Sequence, residues 1–203
     1  MKVKKVTYSA AVVIASVIGL SGCADVTTDV HATGAPVVLQ GERTYSFARA
    51  PWPQAHPANE HYEALVRSEL ANYGLVDRTA DHASYLVSLA YDTRPAAVGV
   101  STADCGNACE GAEGAGFSLF GRVYRHSMTL RLLEATSGKE VYKVTATSRD
   151  RDADTDHPIP WLVKSALAQF PFAEYGEWRV KLRPGDAADK QMPRVVTVKR
   201  VDQ

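Results

Sequence analysis

The chain has 203 residues, with 23 lysines and arginines against 23 aspartates and glutamates, and 45% of the residues are hydrophobic. This length is enough for one domain with its own hydrophobic core. The balanced charge argues against nucleic-acid binding, which needs a basic surface. The hydrophobic share is that of an ordinary globular domain.

Residues 1–22 have the pattern of a secretory signal peptide. They begin with a basic stretch that contains Lys2, Lys4 and Lys5. The apolar core at 9–20 is shorter than the roughly 20 residues that a membrane-spanning helix needs. The sequence Leu-Ser-Gly-Cys at 20–23 resembles the lipobox of bacterial lipoproteins. The resemblance implies cleavage before Cys23 and acylation of its thiol.

A lipidated Cys23 would tie the chain to a membrane, because two or more acyl chains anchor a protein stably. The next residue is Ala24, whereas an aspartate there is the enterobacterial signal for retention at the inner membrane. We therefore expect a cell-envelope protein on the periplasmic leaflet of the outer membrane. We assign residues 23–36 to the lipidated cysteine and a flexible polar tether, and residues 37–183 to a single domain.

The first part of that domain combines strand and helix patterns. Residues 37–48 predict a first strand. A helix is predicted to begin at Asn59, because apolar residues recur there at helical spacing, and to end at Gly74, which suits a C-cap. Residues 84–93 alternate in polarity and predict a strand with one apolar face.

The segment at 94–122 is long and rich in glycine, and loops of this length are usually functional or disordered. It contains Cys105 and Cys109, for which we expect a disulfide in the oxidising periplasm, with a metal pair as the alternative. Three apolar residues of this loop either pack into the core or contact a partner: Phe117, Leu119 and Phe120.

Residues 124–133 and 141–148 alternate in polarity and predict two strands, joined by a hairpin turn at 136–139. His126 lies on the apolar face of the first of these strands. That position is more typical of a hydrogen-bonded core histidine than of a catalytic base.

Four aspartates follow at alternate positions: Asp150, Asp152, Asp154 and Asp156. Such spacing resembles the opening of a calcium-binding loop. However, Thr155 stands where the turn glycine belongs, and Trp161 stands where the closing glutamate belongs. We interpret the run as a solvated turn in which Asp156 caps a second helix, and we keep calcium binding as the weaker alternative.

The second helix has an apolar stripe at 159–170. Residues 176–182 predict a short strand, and residues 195–201 predict an edge strand within a C-terminal tail at 184–203. Together these elements predict an α+β fold. We expect a two-layer sandwich, with a mostly antiparallel sheet of about four to five strands and two helices on one face.

The order of these elements resembles a bacterial lipoprotein family, domain of unknown function family 4136. The matching stretches are Thr-Tyr-Ser-Phe at 44–47, Leu-Ala-Asn-Tyr-Gly-Leu at 70–75, Ala-Ser-Tyr-Leu-Val at 83–87, Thr-Ser-Gly-Lys-Glu at 136–140 and Phe-Pro at 170–171. The resemblance covers residues 37–171 and implies an envelope lipoprotein of unassigned activity. It supplies no catalytic residue.

Since no spaced catalytic set stands out, we expect a non-enzymatic interaction or structural module of the cell envelope. Its partners would be the membrane, through the lipid, and an unknown envelope protein. We expect no cofactor and no nucleic acid. One alternative is a module that binds a small molecule or a metal ion such as calcium, and another is an unrecognised hydrolase.

Overall fold

The structure, a computed structural model, describes residues 25–33, 42–48, 58–96, 122–172, 175–185 and 192–201. These residues form a single mixed sheet of eight strands together with two α-helices. The fold is therefore α+β, but the prediction of a sheet with four to five strands is wrong.

The strands are β1 (Val26–Thr33), β2 (Thr44–Phe47), β3 (Val76–Asp77), β4 (Tyr85–Pro95), β5 (Tyr124–Glu134), β6 (Glu140–Asp150), β7 (Gly176–Arg183) and β8 (Arg194–Arg200). Their order across the sheet is β3-β2-β4-β5-β6-β1-β7-β8. Strand β2 runs parallel to β3 and β4, and the other neighbours are antiparallel.

Strand β1 replaces most of the expected tether at 23–36. It lies inside the sheet, because Asp29 pairs with Thr147 of β6 on one side and with Arg179 of β7 on the other. Its inward positions are buried and its outward positions are exposed, as in any strand with one covered face. The pattern is weak because one of the four inward positions holds Thr28, and the other three hold the small apolar side chains of Val26, Val30 and Ala32.

The predicted strand at 37–48 is shorter than expected within the described residues. Strand β2 covers only 44–47, and residues 42, 43 and 48 lie outside it. Its two aromatic residues share a face. The rings of Tyr45 and Phe47 pack edge-on, with centroids 5.5 Å apart.

The first helix, α1, spans Ala58–Asn72, close to its predicted bounds. Gly74 follows with φ +76°, the left-handed conformation that glycine adopts without steric cost. The helix lies against the apolar face of the sheet through Tyr62, whose ring centroid is 4.7 Å from that of Tyr91 in β4.

The second helix, α2, spans Ile159–Ala166. The residues of the predicted apolar stripe are all buried, although the last two lie beyond the end of the helix: Ile159, Leu162, Val163, Ala166, Leu167 and Phe170. Asp156 does not cap the helix with its side chain, since Pro158 is the N-cap residue and makes no side-chain capping bond. The carbonyl of Asp156 instead accepts the amide of Ile159 at 3.1 Å.

Both helices of the described segments are too short or too polar to cross a bilayer.

Candidate functional site

Two histidines and an aspartate meet where β5 begins and β6 ends. In the antiparallel register His126 pairs with Ser148. Asp150 lies two residues further along the same face of β6, so it is the diagonal neighbour of His126. The turn that leads from β6 to α2 brings His157 back over Asp150. We call these three residues the histidine–aspartate cluster.

The two imidazoles face opposite oxygens of one carboxylate. The distance from His126 Nε2 to Asp150 Oδ1 is 3.1 Å, and the distance from His157 Nε2 to Asp150 Oδ2 is 2.9 Å. The imidazole rings are nearly perpendicular, with centroids 5.2 Å apart. One potential ligand atom from each of the three residues lies within 4.8 Å of the other two.

The remaining polar atoms of the cluster are held by neighbours. Nδ1 of His126 lies 3.0 Å from the Thr93 hydroxyl, and Nδ1 of His157 lies 3.0 Å from the carbonyl oxygen of Asp154. The backbone amide of Asp152 donates to Asp150 Oδ1 at 2.8 Å. These contacts fix the orientation of both rings and of the carboxylate.

The cluster reaches from the surface into the core. His126 is fully buried, whereas the side chains of His157 and Asp150 are 33% and 39% exposed to solvent. Burial alone raises the pKa of Asp150, but the hydrogen bonds from His157, from the amide of Asp152 and from His126 together hold that pKa below its ordinary range. The carboxylate is therefore ionised at neutral pH.

A pocket of about 120 Å³ adjoins His126. It has room for a few water molecules or one end of a small ligand, and it is smaller than the sites of drug-sized molecules. Tyr62 and Tyr91 line it, and the buried hydroxyl of Tyr91 has no hydrogen-bond partner among the described residues. Burial and a hydrogen bond to Asp156 raise the pKa of Tyr62 to about 12.

The four aspartates of the acidic run have mostly local partners. Asp150, Asp152 and Asp154 each accept the backbone amide two residues further on, which makes a series of Asx turns. Asp156 accepts the Tyr62 hydroxyl. Within the described segments, Asp150 alone of the four belongs to a group of possible metal ligands, and its companions there are histidines.

The other candidate residues lie outside the described residues. They are the lipidation site Cys23, the disulfide pair Cys105 and Cys109, and the partner loop with Phe117, Leu119 and Phe120. Their roles stay predictions from the sequence.

Sequence reasoning found the buried position of His126 but not its neighbours. The hairpin predicted at 136–139 does not by itself place Asp150 beside His126, because the pairing of β5 and β6 shifts between Leu132 and Leu133. His157 leaves no signal in the sequence either, because its position depends on the path of residues 151–156.

A family profile described as "Domain of unknown function (DUF4136)" matches residues 26–172, a stretch that includes the histidine–aspartate cluster. The sequence matches no curated protein. Among solved structures, the PelC dodecamer from Paraburkholderia phytofirmans is similar with 16% identity, a TM-score of 0.43 and coverage of 70% of this chain and 96% of that chain.

A PDZ domain protein from Parabacteroides distasonis is similar with 13% identity and a TM-score of 0.46. The match covers 78% of this chain and 39% of that one.

Proposed function

We propose that this chain, which belongs to the DUF4136 family, is a lipid-anchored, non-enzymatic module of the bacterial cell envelope that faces the periplasm. The observation that carries the proposal is the Leu-Ser-Gly-Cys sequence at 20–23, placed after a basic start and a short apolar core. Acylation of Cys23 would supply the anchor. Ala24 favours the outer membrane as its location.

The position of β1 sharpens this proposal. The strand begins at Val26, three residues after Cys23, and a fully extended chain covers about 10 Å over that distance. An anchored domain would therefore sit directly on the membrane surface instead of floating on a long tether. Arg183 and Lys181 of β7 both contact Asp25 at this end of the sheet, at 2.7 Å and 2.5 Å, and hold the start of β1 in place.

The anchor is tested by metabolic labelling with an alkyne fatty acid, followed by mass spectrometry of the mature N-terminus. We expect the wild-type chain to begin at an acylated Cys23, and Cys23→Ser to lose both the label and the cleavage. Cys105→Ser is the matched control, and it should keep the label. A mature chain that starts at Met1, or an unmodified Cys23, would refute the anchor.

A hydrolase is the second candidate, and one observation favours it. Thr93, His126 and Asp150 form a line in which the imidazole contacts a hydroxyl with one nitrogen and a carboxylate with the other. This is the order of nucleophile, base and orienting acid, although the two ring nitrogens have exchanged roles relative to the serine-protease arrangement. A fluorophosphonate probe should then label the wild type and spare Thr93→Val. An unlabelled wild type would remove this candidate.

A further inference from the structure

We propose that His126, Asp150 and His157 form a binding site for a divalent transition-metal ion, with Zn²⁺ as the best match. The inference is separate from the membrane anchor, since it depends only on contacts within the folded domain. It also differs from the calcium alternative, which would use the four carboxylates of the acidic run.

The donor atoms select the class of metal. Two imidazole nitrogens and one carboxylate oxygen are a common ligand set for zinc, whereas calcium and magnesium take oxygen ligands almost exclusively. The three side chains come from β5, from the end of β6 and from the turn before α2. The fold thus holds them from three separate directions.

The distances fit an ion of this size. Two ligand atoms bound to a tetrahedral zinc at about 2.1 Å lie about 3.4 Å apart. The two nitrogen–oxygen distances here are 3.1 and 2.9 Å and end on opposite oxygens of the carboxylate, so one zinc ion would need the Asp150 carboxylate to turn and the ligands to move outward by a few tenths of an ångström. Such movement is within the freedom of Asp150 and His157, whose side chains are partly exposed.

The outer contacts also match those of metal-binding histidines. A ligating imidazole usually donates its second ring N–H to a carbonyl, a carboxylate or another polar group. Here the Nδ1 atoms of His126 and His157 face the Thr93 hydroxyl and the Asp154 carbonyl, which leaves both Nε2 atoms directed at Asp150.

His157 gives the strongest argument, because both of its ring nitrogens face oxygen acceptors. The carbonyl of Asp154 can only accept, so Nδ1 must carry the hydrogen. Nε2 is then the nitrogen through which His157 would bind a cation held between it and the Asp150 carboxylate. A metal ion would satisfy both histidines and the carboxylate at once.

The test uses the full-length chain, purified in detergent and stripped of metal with a chelator. Zn²⁺ is titrated by calorimetry, and Co²⁺ is titrated by absorption spectroscopy. We expect one equivalent of zinc to bind, and cobalt to give the visible bands of a four-coordinate site without a thiolate charge-transfer band. The missing thiolate band would exclude the three cysteines as ligands.

The variants His157→Ala and Asp150→Asn should bind zinc at least about tenfold more weakly than wild type. Both residues are partly exposed, so these variants avoid the folding risk of replacing buried His126. His82→Ala is the matched control and should bind like wild type, since it removes an exposed histidine that lies 3.4 Å from Asp81. Circular dichroism verifies that each variant is folded.

Three results would overturn the site: no zinc binding by the wild type at micromolar metal, equal binding by wild type and His157→Ala, or a thiolate band in the cobalt complex. The first would mean that the three side chains only hold β5, β6 and the turn together through their hydrogen bonds. The other two would place the bound metal elsewhere in the chain.

Discussion

Two polar regions beside α2 differ in how their groups are paired. The first, which we call the helix seam, contains Glu69, Lys164, Thr28 and Ser165. Lys164 donates to both oxygens of Glu69, at 3.0 and 2.9 Å, and the hydroxyls of Thr28 and Ser165 bond to each other. In the histidine–aspartate cluster, by contrast, two imidazole nitrogens share a single carboxylate.

The difference separates structural polar groups from ligand-like ones. Each group of the seam has its own partner, so the seam joins α1, α2 and β1 with little left to bind. In the cluster the Nε2 atoms of both histidines face the carboxylate of Asp150, and a cation bound between them would give all three groups a ligand contact. The seam should therefore govern stability, and the cluster should govern the response to metal.

The largest effect is expected from breaking the ion pair of the seam. Glu69→Ala leaves the ammonium of Lys164 partly buried and without its carboxylate, and should lower the free energy of unfolding by about 3 kcal/mol. Urea denaturation measures the change. Glu60→Ala is the control on the same helix, and because Glu60 is exposed it should cost no more than about 0.5 kcal/mol. Equal losses in the two variants would contradict the role of the seam.

A smaller loss is expected at Tyr62, which connects α1 to the turn before α2. Tyr62→Phe removes the hydrogen bond to Asp156 and should cost about 1.5 kcal/mol at neutral pH. The free tyrosine pKa is about 10, and the folded value is about 12. Between these values the unfolded chain releases a proton that the folded chain keeps, so stability falls as pH rises.

Tyr62→Phe should flatten this alkaline loss without abolishing it, because Tyr45, Tyr91 and Tyr142 also have raised pKa values. Urea titrations at pH 9 and pH 11 measure the slope for both proteins. An unchanged slope would show that Tyr62 does not stay protonated in the folded protein.

The hydroxyl pair of the seam should contribute less. Thr28→Val keeps the shape of the side chain and removes its bonds to Ser165 and to the carbonyl of Val180, so we expect a loss of about 1 kcal/mol. The loss is limited because Ser165 still donates to the carbonyl of Trp161 at 2.8 Å. Thr27→Val, at the exposed neighbouring position, is the control and should be near neutral.

The smallest effect on stability is expected in the cluster when no metal is present. His157→Ala should change the free energy of unfolding by only about 0.5 kcal/mol in chelator, because its contact with Asp150 is partly exposed. In the presence of zinc the wild type should gain thermal stability, and the variant should not. A large loss of unfolding free energy in chelator would mean that the cluster, like the seam, serves only to stabilise the fold.

The sequence predicted the middle of the sheet well and its first strand poorly. Strands β4, β5 and β6 alternate large apolar residues with polar ones, and Val87, Leu130 and Val144 are all fully buried. Strand β1 lacks that contrast, since threonine occupies one of its inward positions, and it follows the predicted signal peptide, where a tether is a natural interpretation. Strand β3 has only two residues, too few for any period to appear.

The candidate site was less accessible to sequence reasoning than the fold. Alternation along β5 correctly placed His126 in the interior. The even spacing of the aspartates favoured a solvated turn and left a shared calcium site as the weaker alternative, and the structure gives most of them local backbone partners. Which side chain lies near His126 depends on the path of the turn at 151–156, and that path is set by tertiary packing.

The position of β1 in the sheet also determines when the sheet can be completed during synthesis. Val30 has Ala146 and Trp178 as its two cross-strand neighbours, so β1 waits for partners that lie 116 and 148 residues later in the chain. Contacts so distant in sequence form slowly, because a large loop must close first. The sheet of the growing polypeptide therefore stays incomplete until β7 has been synthesised, and in a nascent chain that stops before residue 140 strand β1 has neither of its neighbours.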